Sequence, residues 1–147
     1  MTFPRLIAGA TLMLAATASH AFDFKSVGPA PVILYDAPSV KGTKLFVVPR
    51  GAPLEVVLAY GDWVKVRDAG GELAWTEAKG LSAKRMLIVR NANVKVRATP
   101  EESGAPVFIA DKGVLLELAD SDTAGWLKVR HRDGQVGYVK NTDVWGD

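Results

Sequence analysis

Trp63-Val64-Lys65-Val66-Arg67 returns almost unchanged as Trp126-Leu127-Lys128-Val129-Arg130. The likeness spreads outward from these five positions. Pro38, Gly42, Phe46, Gly51 and Leu54 recur 62 places later as Pro100, Gly104, Phe108, Gly113 and Leu116, while the tryptophan pair is offset by 63. A proline, two glycines, an aromatic and a Trp-x-Lys-Val-Arg segment repeated in one order mark a tandem duplication. A unit of about 60 residues is close to the smallest that buries a core unaided.

The alternation inside the echo sets its geometry. In a strand, Val64 and Val66 share one face while Trp63, Lys65 and Arg67 share the other. Leu127 and Val129 stand in the same way against Trp126, Lys128 and Arg130. The cations belong in water, so the aliphatic residues are expected in two cores and each tryptophan on the wet face. Leu54, Val56 and Leu58, with Leu116 and Leu118, are expected to complete those cores. Parity leaves the faces of Trp75 and Tyr138 open, because a bulge near the preceding glycines would invert them.

The rest of the chain carries the all-β pattern of short apolar runs between Gly, Pro, Asn and Asp clusters. Strands are expected over residues 32–35, 45–48, 54–60, 63–68 and 72–76, and again over 94–97, 107–110, 115–120, 125–131 and 135–139. Tight turns fall at Ala59-Tyr60-Gly61-Asp62, Asp68-Ala69-Gly70-Gly71 and Arg132-Asp133-Gly134. Residues 77–84 have room for one helical turn. The apolar run Met86-Leu87-Ile88-Val89 is unlike a flexible linker. It is expected either to pack the two units together or to close the first as its last strand.

Residues 1–21 read as a secretory signal peptide, with Arg5 as its basic residue, an apolar run over 6–18 and Ser19-His20-Ala21 as a small-x-small cleavage site. The run is short of the roughly 18 to 20 residues of a membrane-spanning helix. The expected product is periplasmic or secreted, begins near Phe22 and has no membrane insertion after signal cleavage. Removing Arg5 from 18 basic residues leaves 17 against 16 acidic ones. That balance gives no electrostatic case for nucleic acid as a partner. The chain has no cysteine, hence no disulfide and no new N-terminal cysteine to lipidate.

The second copy resembles a bacterial SH3-like (SH3b) domain. It runs Val94-Lys95-Val96-Arg97, Pro100, Gly104, Val107, Lys112-Gly113 and Trp126-Leu127-Lys128-Val129, and closes on Gly134-Gln135-Val136-Gly137-Tyr138-Val139. The first copy is more divergent, with Ile33-Leu34-Tyr35 in the opening strand and Ala74-Trp75 in place of Gly-Tyr. The resemblance implies an all-β protein: two tandem small SH3-like β-barrels of five or six strands after an N-terminal signal peptide. The boundaries expected are 28–86 for the first domain and 87–147 for the second. It also implies cell-envelope association, with cell-wall peptidoglycan or its stem peptide as ligand, in a family that commonly anchors a separate hydrolase. Ile33-Leu34-Tyr35-Asp36 and Gly61-Asp62-Trp63 further resemble segments of the eukaryotic polyproline-binding relatives. Their following tyrosine is Ala37 here, and Lys140-Asn141-Thr142-Asp143 replaces their closing Pro-Ser-Asn-Tyr, so half of that ridge is missing.

The residue inventory argues against catalysis. A cysteine nucleophile is absent, and beyond residue 21 the only histidine is His131, too few for a usual zinc site. Glu101-Glu102 are adjacent, so their side chains diverge instead of facing each other across a substrate. No catalytic residue, metal or cofactor is expected. The binding candidates are aromatic. Trp63 and Trp126 lead, followed by Trp75 and Tyr138, with Tyr35 and Trp145 also available to line a shallow groove. Arg67 and Arg130, beside Lys65 and Lys128, are placed to pair with peptide carboxylates. The expected function is a non-catalytic exported binding module; the alternative is a periplasmic scaffold whose partner is an envelope protein.

Overall fold

The computed structural model describes residues 23–121 and 124–147; the expected signal segment lies outside them. The first sheet contains β1 (Asp23–Val27), β2 (Val32–Tyr35), β3 (Lys44–Val48), β4 (Pro53–Tyr60), β5 (Trp63–Arg67), β6 (Leu73–Glu77) and β7 (Leu81–Ser82). The second contains β8 (Met86–Val89), β9 (Val94–Arg97), β10 (Pro106–Ala110), β11 (Leu115–Asp120), β12 (Trp126–Arg130), β13 (Val136–Lys140) and β14 (Val144–Trp145). Their spatial orders, β3-β2-β6-β5-β4-β1-β7 and β10-β9-β13-β12-β11-β8-β14, are one permutation written twice. Single 3-10 turns at Ala78–Gly80 and Asn141–Asp143 lead into β7 and β14, the first of them inside the segment expected to hold a helical turn.

The core follows the alternation of the echoed strands. Val64 and Val66 are buried on β5, as are Leu127 and Val129 on β12, and Val66 and Val129 are wholly sealed from solvent. One apolar cluster gathers Leu34, Leu54 and Val66 in the first sheet; its counterpart gathers Val96, Leu116 and Val129. The recurring Gly51 and Gly113 adopt φ of +82° and +92° in the turns before β4 and β11. Each donates its N–H to the first strand of its sheet, to Val27 O and Val89 O respectively, at 2.9 Å. Only glycine takes that backbone conformation at little cost, which accounts for its return at both turns.

Four expectations need correction. The sheets are not closed barrels: β3 pairs only with β2, β7 only with β1, and no hydrogen bond joins these end strands. Each sheet has seven strands instead of five or six, because residues 23–27 and 86–89 add a first strand and residues 81–82 and 144–145 a short last one. Residues 81–89 are divided, so that Leu81–Ser82 ends the first sheet while Met86–Val89 opens the second. Finally, Leu58 is 54% exposed. The β4–β5 register slips between Val56 and Leu58, and this bulge turns Leu58 onto the outer face opposite Lys65.

The two sheets meet at a defined joint. Phe24 of β1 sets its ring edge-on to Trp145 of β14 with centroids 5.1 Å apart, and the Arg85 guanidinium lies 5.6 Å over the Phe24 ring. Arg85 also donates to Gly146 O at 2.9 Å, and Ser26 Oγ donates to Lys84 O at 2.7 Å. Leu115 of β11 packs against the first sheet's core. Trp145 therefore belongs to this joint and not to an outer groove. Phe24→Ala is expected to cost about 3 to 5 kcal/mol and to split a single calorimetric unfolding transition into two. An unaltered single transition would show that the joint does not couple the modules.

Candidate functional site

The outer faces of the two sheets carry the site residues expected from the sequence. On the first, Tyr35 of β2, Trp75 of β6, Lys65 of β5 and Leu58 of β4 form one cross-strand row, with Trp63 and Tyr60 paired next to it. The β5–β6 ladder runs without a bulge, which settles Trp75 on the same side as Trp63. The rings interlock in pairs. Tyr35 meets Trp63 edge-on at 5.5 Å and 79°, and Tyr60 meets Trp75 at 6.4 Å and 77°. Tyr35 is buried beneath the others, Trp63 and Trp75 are half-buried, and Tyr60 is 67% exposed. The result is an aromatic surface of two edge-to-face ring pairs, with Tyr60 its most exposed ring.

The second sheet builds the same face from different chemistry. Tyr138 stands opposite Lys128 and Arg97, and Trp126 opposite Lys140. Arg97 thus occupies the place that Tyr35 fills in the first copy. Lys140 Nζ lies 5.9 Å over the Trp126 ring while pairing with Glu102. Arg97 donates to Gly104 O at 2.9 Å and so holds the loop that carries Glu102. A hollow of about 210 Å³ opens among Asn93, Lys95, Arg97, Glu102, Trp126 and Lys140. Gly137 lies on the inner side of β13 and lets it close on β9: a Cβ there would come within 2.8 Å of Arg97 O and 2.7 Å of buried Val96 Cγ1.

The two expected arginines do not join the rings. Arg67 is held by Glu55 at 3.1 Å, opposite it on β4. Arg130 lies at the far end of β12 and lines a cleft between the modules. The site is thus divided, with Trp63 and Trp75 together on one face, Trp126 and Tyr138 on the other, and the arginines apart from both. Tyr60, Arg97, Glu102 and Lys140 complete these faces and were not singled out for binding from sequence. Arg97 and Lys140 were accessible through the repeat, as counterparts of Tyr35 and Glu77, whereas Tyr60 was read as part of a turn. Glu101 and Glu102 do diverge, Glu101 accepting from Thr99 at 3.2 Å and Glu102 turning to Lys140.

The fold, the duplicated order of strands and the echoed residues agree with comparison to known families. The sequence matches the family Bacterial SH3 domain over residues 28–82 and again over 90–146. The chain belongs to that family. No curated protein matches the sequence. Among solved structures, NlpC1 from Trichomonas vaginalis is similar at 13% identity and a TM-score of 0.40, over 90% of this chain and 49% of that one. NlpC2 from the same organism is similar at 10% identity and 0.39, over 86% and 48%. The chain spans about half the length of these solved proteins.

Electrostatics distinguish the face of the second bacterial SH3 module. The hydrogen bond from Lys140, reinforced by its charge and that of Arg97, holds the Glu102 carboxyl below the usual glutamate range. A depressed carboxylate keeps its ion pair above its ordinary pKa and loses it as pH falls through the lowered value. An NMR titration of the Glu102 side chain should therefore show a midpoint below that of a free glutamate. Lys140→Met should return it to the ordinary range, and a midpoint unmoved by that change would remove Lys140 as the cause.

Proposed function

We propose that this protein is an exported, non-catalytic binding module of the cell envelope, with peptidoglycan or its stem peptide as ligand. The four-ring surface of Tyr35, Tyr60, Trp63 and Trp75 carries the reading. Aromatic faces held edge-to-face cannot reorient, so little conformational freedom is lost when a flat apolar ligand surface settles on them. The C–H face of a pyranose or a short glycine- or proline-rich peptide has that shape. Lys65, within the same cross-strand row, adds a cation for a peptide carboxylate. Export rests on the signal-like residues 1–21. The absence of catalysis rests on the lack of cysteine and on a single histidine beyond that segment.

A second reading has its own support. β3 is an end strand whose Leu45, Phe46 and Val47 are all exposed, and its outer edge has no partner strand among the described residues. Such an edge accepts an added strand from another protein, which suits a scaffold in the envelope. Sedimentation of the mature protein with purified sacculi separates the two. On the first reading Trp63→Ala with Trp75→Ala weakens retention by about tenfold and Val47→Lys leaves it unchanged. Full recovery of the unaltered protein in the supernatant at low salt would sink the wall-binding reading.

A further inference from the structure

The modules border a cleft of about 1000 Å³ whose lining is separate from the Phe24–Trp145 pair. One wall comes from the first module, through Pro29, Pro31, Pro49 and Arg50; the opposite wall is Glu117 of β11 with Arg130, His131 and Arg132 at the turn after β12. Val27, Met86 and Leu115 supply apolar surface between them, and Lys84 stands on the connecting segment. Residues far apart in sequence meet here only because the two sheets are locked together.

The charge in this cleft is out of proportion to the rest of the chain. Beyond residue 21 the protein carries 17 basic and 16 acidic residues, close to balance. The cleft gathers Arg50, Lys84, Arg130 and Arg132 against Glu117. Glu117 is engaged by Lys84 at 3.5 Å, and His131 is turned to Asp133 at 3.0 Å. No carboxylate pairs with Arg50, Arg130 or Arg132 among the described residues. Glu117 stands opposite Arg130 on β11 and pairs with Lys84, so Arg50, Arg130 and Arg132 line a partly apolar hollow whose basic residues outnumber its one carboxylate.

The backbone narrows the ligand further. Proline removes three N–H groups from the first module's wall, and those of Val27, Gly28 and Gly51 are consumed by Ala52 O, Gly80 O and Val27 O. This wall offers no nest of amides for a phosphate, so the recognition of negative charge falls to the arginine side chains. The planar guanidinium fork matches a carboxylate in two parallel bonds. The apolar strip asks for a ligand with hydrocarbon between its charges, which a polyphosphate chain lacks. Near-neutral overall charge also deprives a nucleic acid of the broad field it follows.

We infer that the inter-module cleft binds an extended peptide carrying free carboxylates, held by Arg50, Arg130 and Arg132 over the strip of Val27, Met86 and Leu115. This site is separate from the aromatic faces and stands whether or not they bind the cell wall. It gives Arg130 a role in a different place from Trp126, although both lie on one strand.

Fluorescence anisotropy with the intact mature chain tests the inference. The probe is a labelled synthetic Ala-Ser peptide bearing two glutamates, beside the same peptide with glutamines and a short polyphosphate. The glutamate peptide is expected to bind, to weaken with added salt, and to bind at least about tenfold better than its glutamine form. Arg130→Gln with Arg132→Gln, at two exposed side chains, should lower affinity by about tenfold or more with the unfolding temperature unchanged. Trp63→Ala should leave peptide binding intact, which separates this site from the wall-binding reading. Failure of the glutamate peptide to bind, equal binding of the glutamine form, indifference to the arginine changes or tighter binding of polyphosphate would each overturn it.

Discussion

Val66 and Val129 exclude solvent completely, and the remainder of each module is arranged around that fact. A domain of about 60 residues buries only a modest share of its surface, and this chain has no disulfide to compensate. Every inward position on the central strand is therefore needed. A slip of one residue in β5 would bury Trp63, Lys65 and Arg67 in place of Val64 and Val66, and unpaired buried cations cost several kcal/mol each. The core thus fixes the register, and the register fixes the outer face. Trp75 stands opposite Lys65, and Tyr138 opposite Lys128, as consequences of where the valines go.

Duplication kept the inward residues and changed the outward ones. Leu54 and Leu116, Val66 and Val129, and Val27 and Val89 are equivalent pairs, all buried. On the surface, Ile33, Tyr35, Val40 and Glu77 of the first copy correspond to Lys95, Arg97, Glu102 and Lys140 of the second. One face has become aromatic and the other cationic around a single tryptophan and tyrosine. The two faces are not copies of each other, since Arg97 and Lys140 hold a loop and an ion pair where the first copy has Tyr35 and Glu77.

The sequence made the echoed strands legible because β5 and β12 alternate cleanly, and alternation is all that a half-buried strand needs to declare its faces. It failed where alternation fails. Asp23–Val27 mixes charge, aromatic and serine without an obvious core face, and Met86–Val89 is apolar at every position, so neither showed which sheet it would join. Leu58 was assigned to the core because a bulge cannot be counted from the spacing. Closure into a barrel came from the family resemblance and not from the residues; the two-residue β7 and β14 end the sheets without reaching β3 or β10. The paired faces of Trp63 and Trp126 were readable, while the cleft was not, since proline loops, a linker and a hairpin turn share no periodicity.

The least symmetrical strand explains why the cleft exists. Equivalent ladder positions place Lys25 of β1 opposite Leu54 and Leu87 of β8 opposite Leu116. Leu87 is buried in its own module's core, whereas Lys25 is exposed, and β1 buries Val27 in its own core and Phe24 and Ser26 on its other face. β1 thus keeps Val27 in its own core but spends Phe24, on its other face, on the neighbouring module. Phe24 meets Trp145 and Arg85 on one side of the joint, and Ser26 fastens the linker beside the cleft. A module that used β1 as the second uses β8 would be better packed alone, and it would leave nothing to hold Arg50 across from Arg130 and Arg132. The departure from the repeat joins the two modules through Phe24, Trp145 and Arg85.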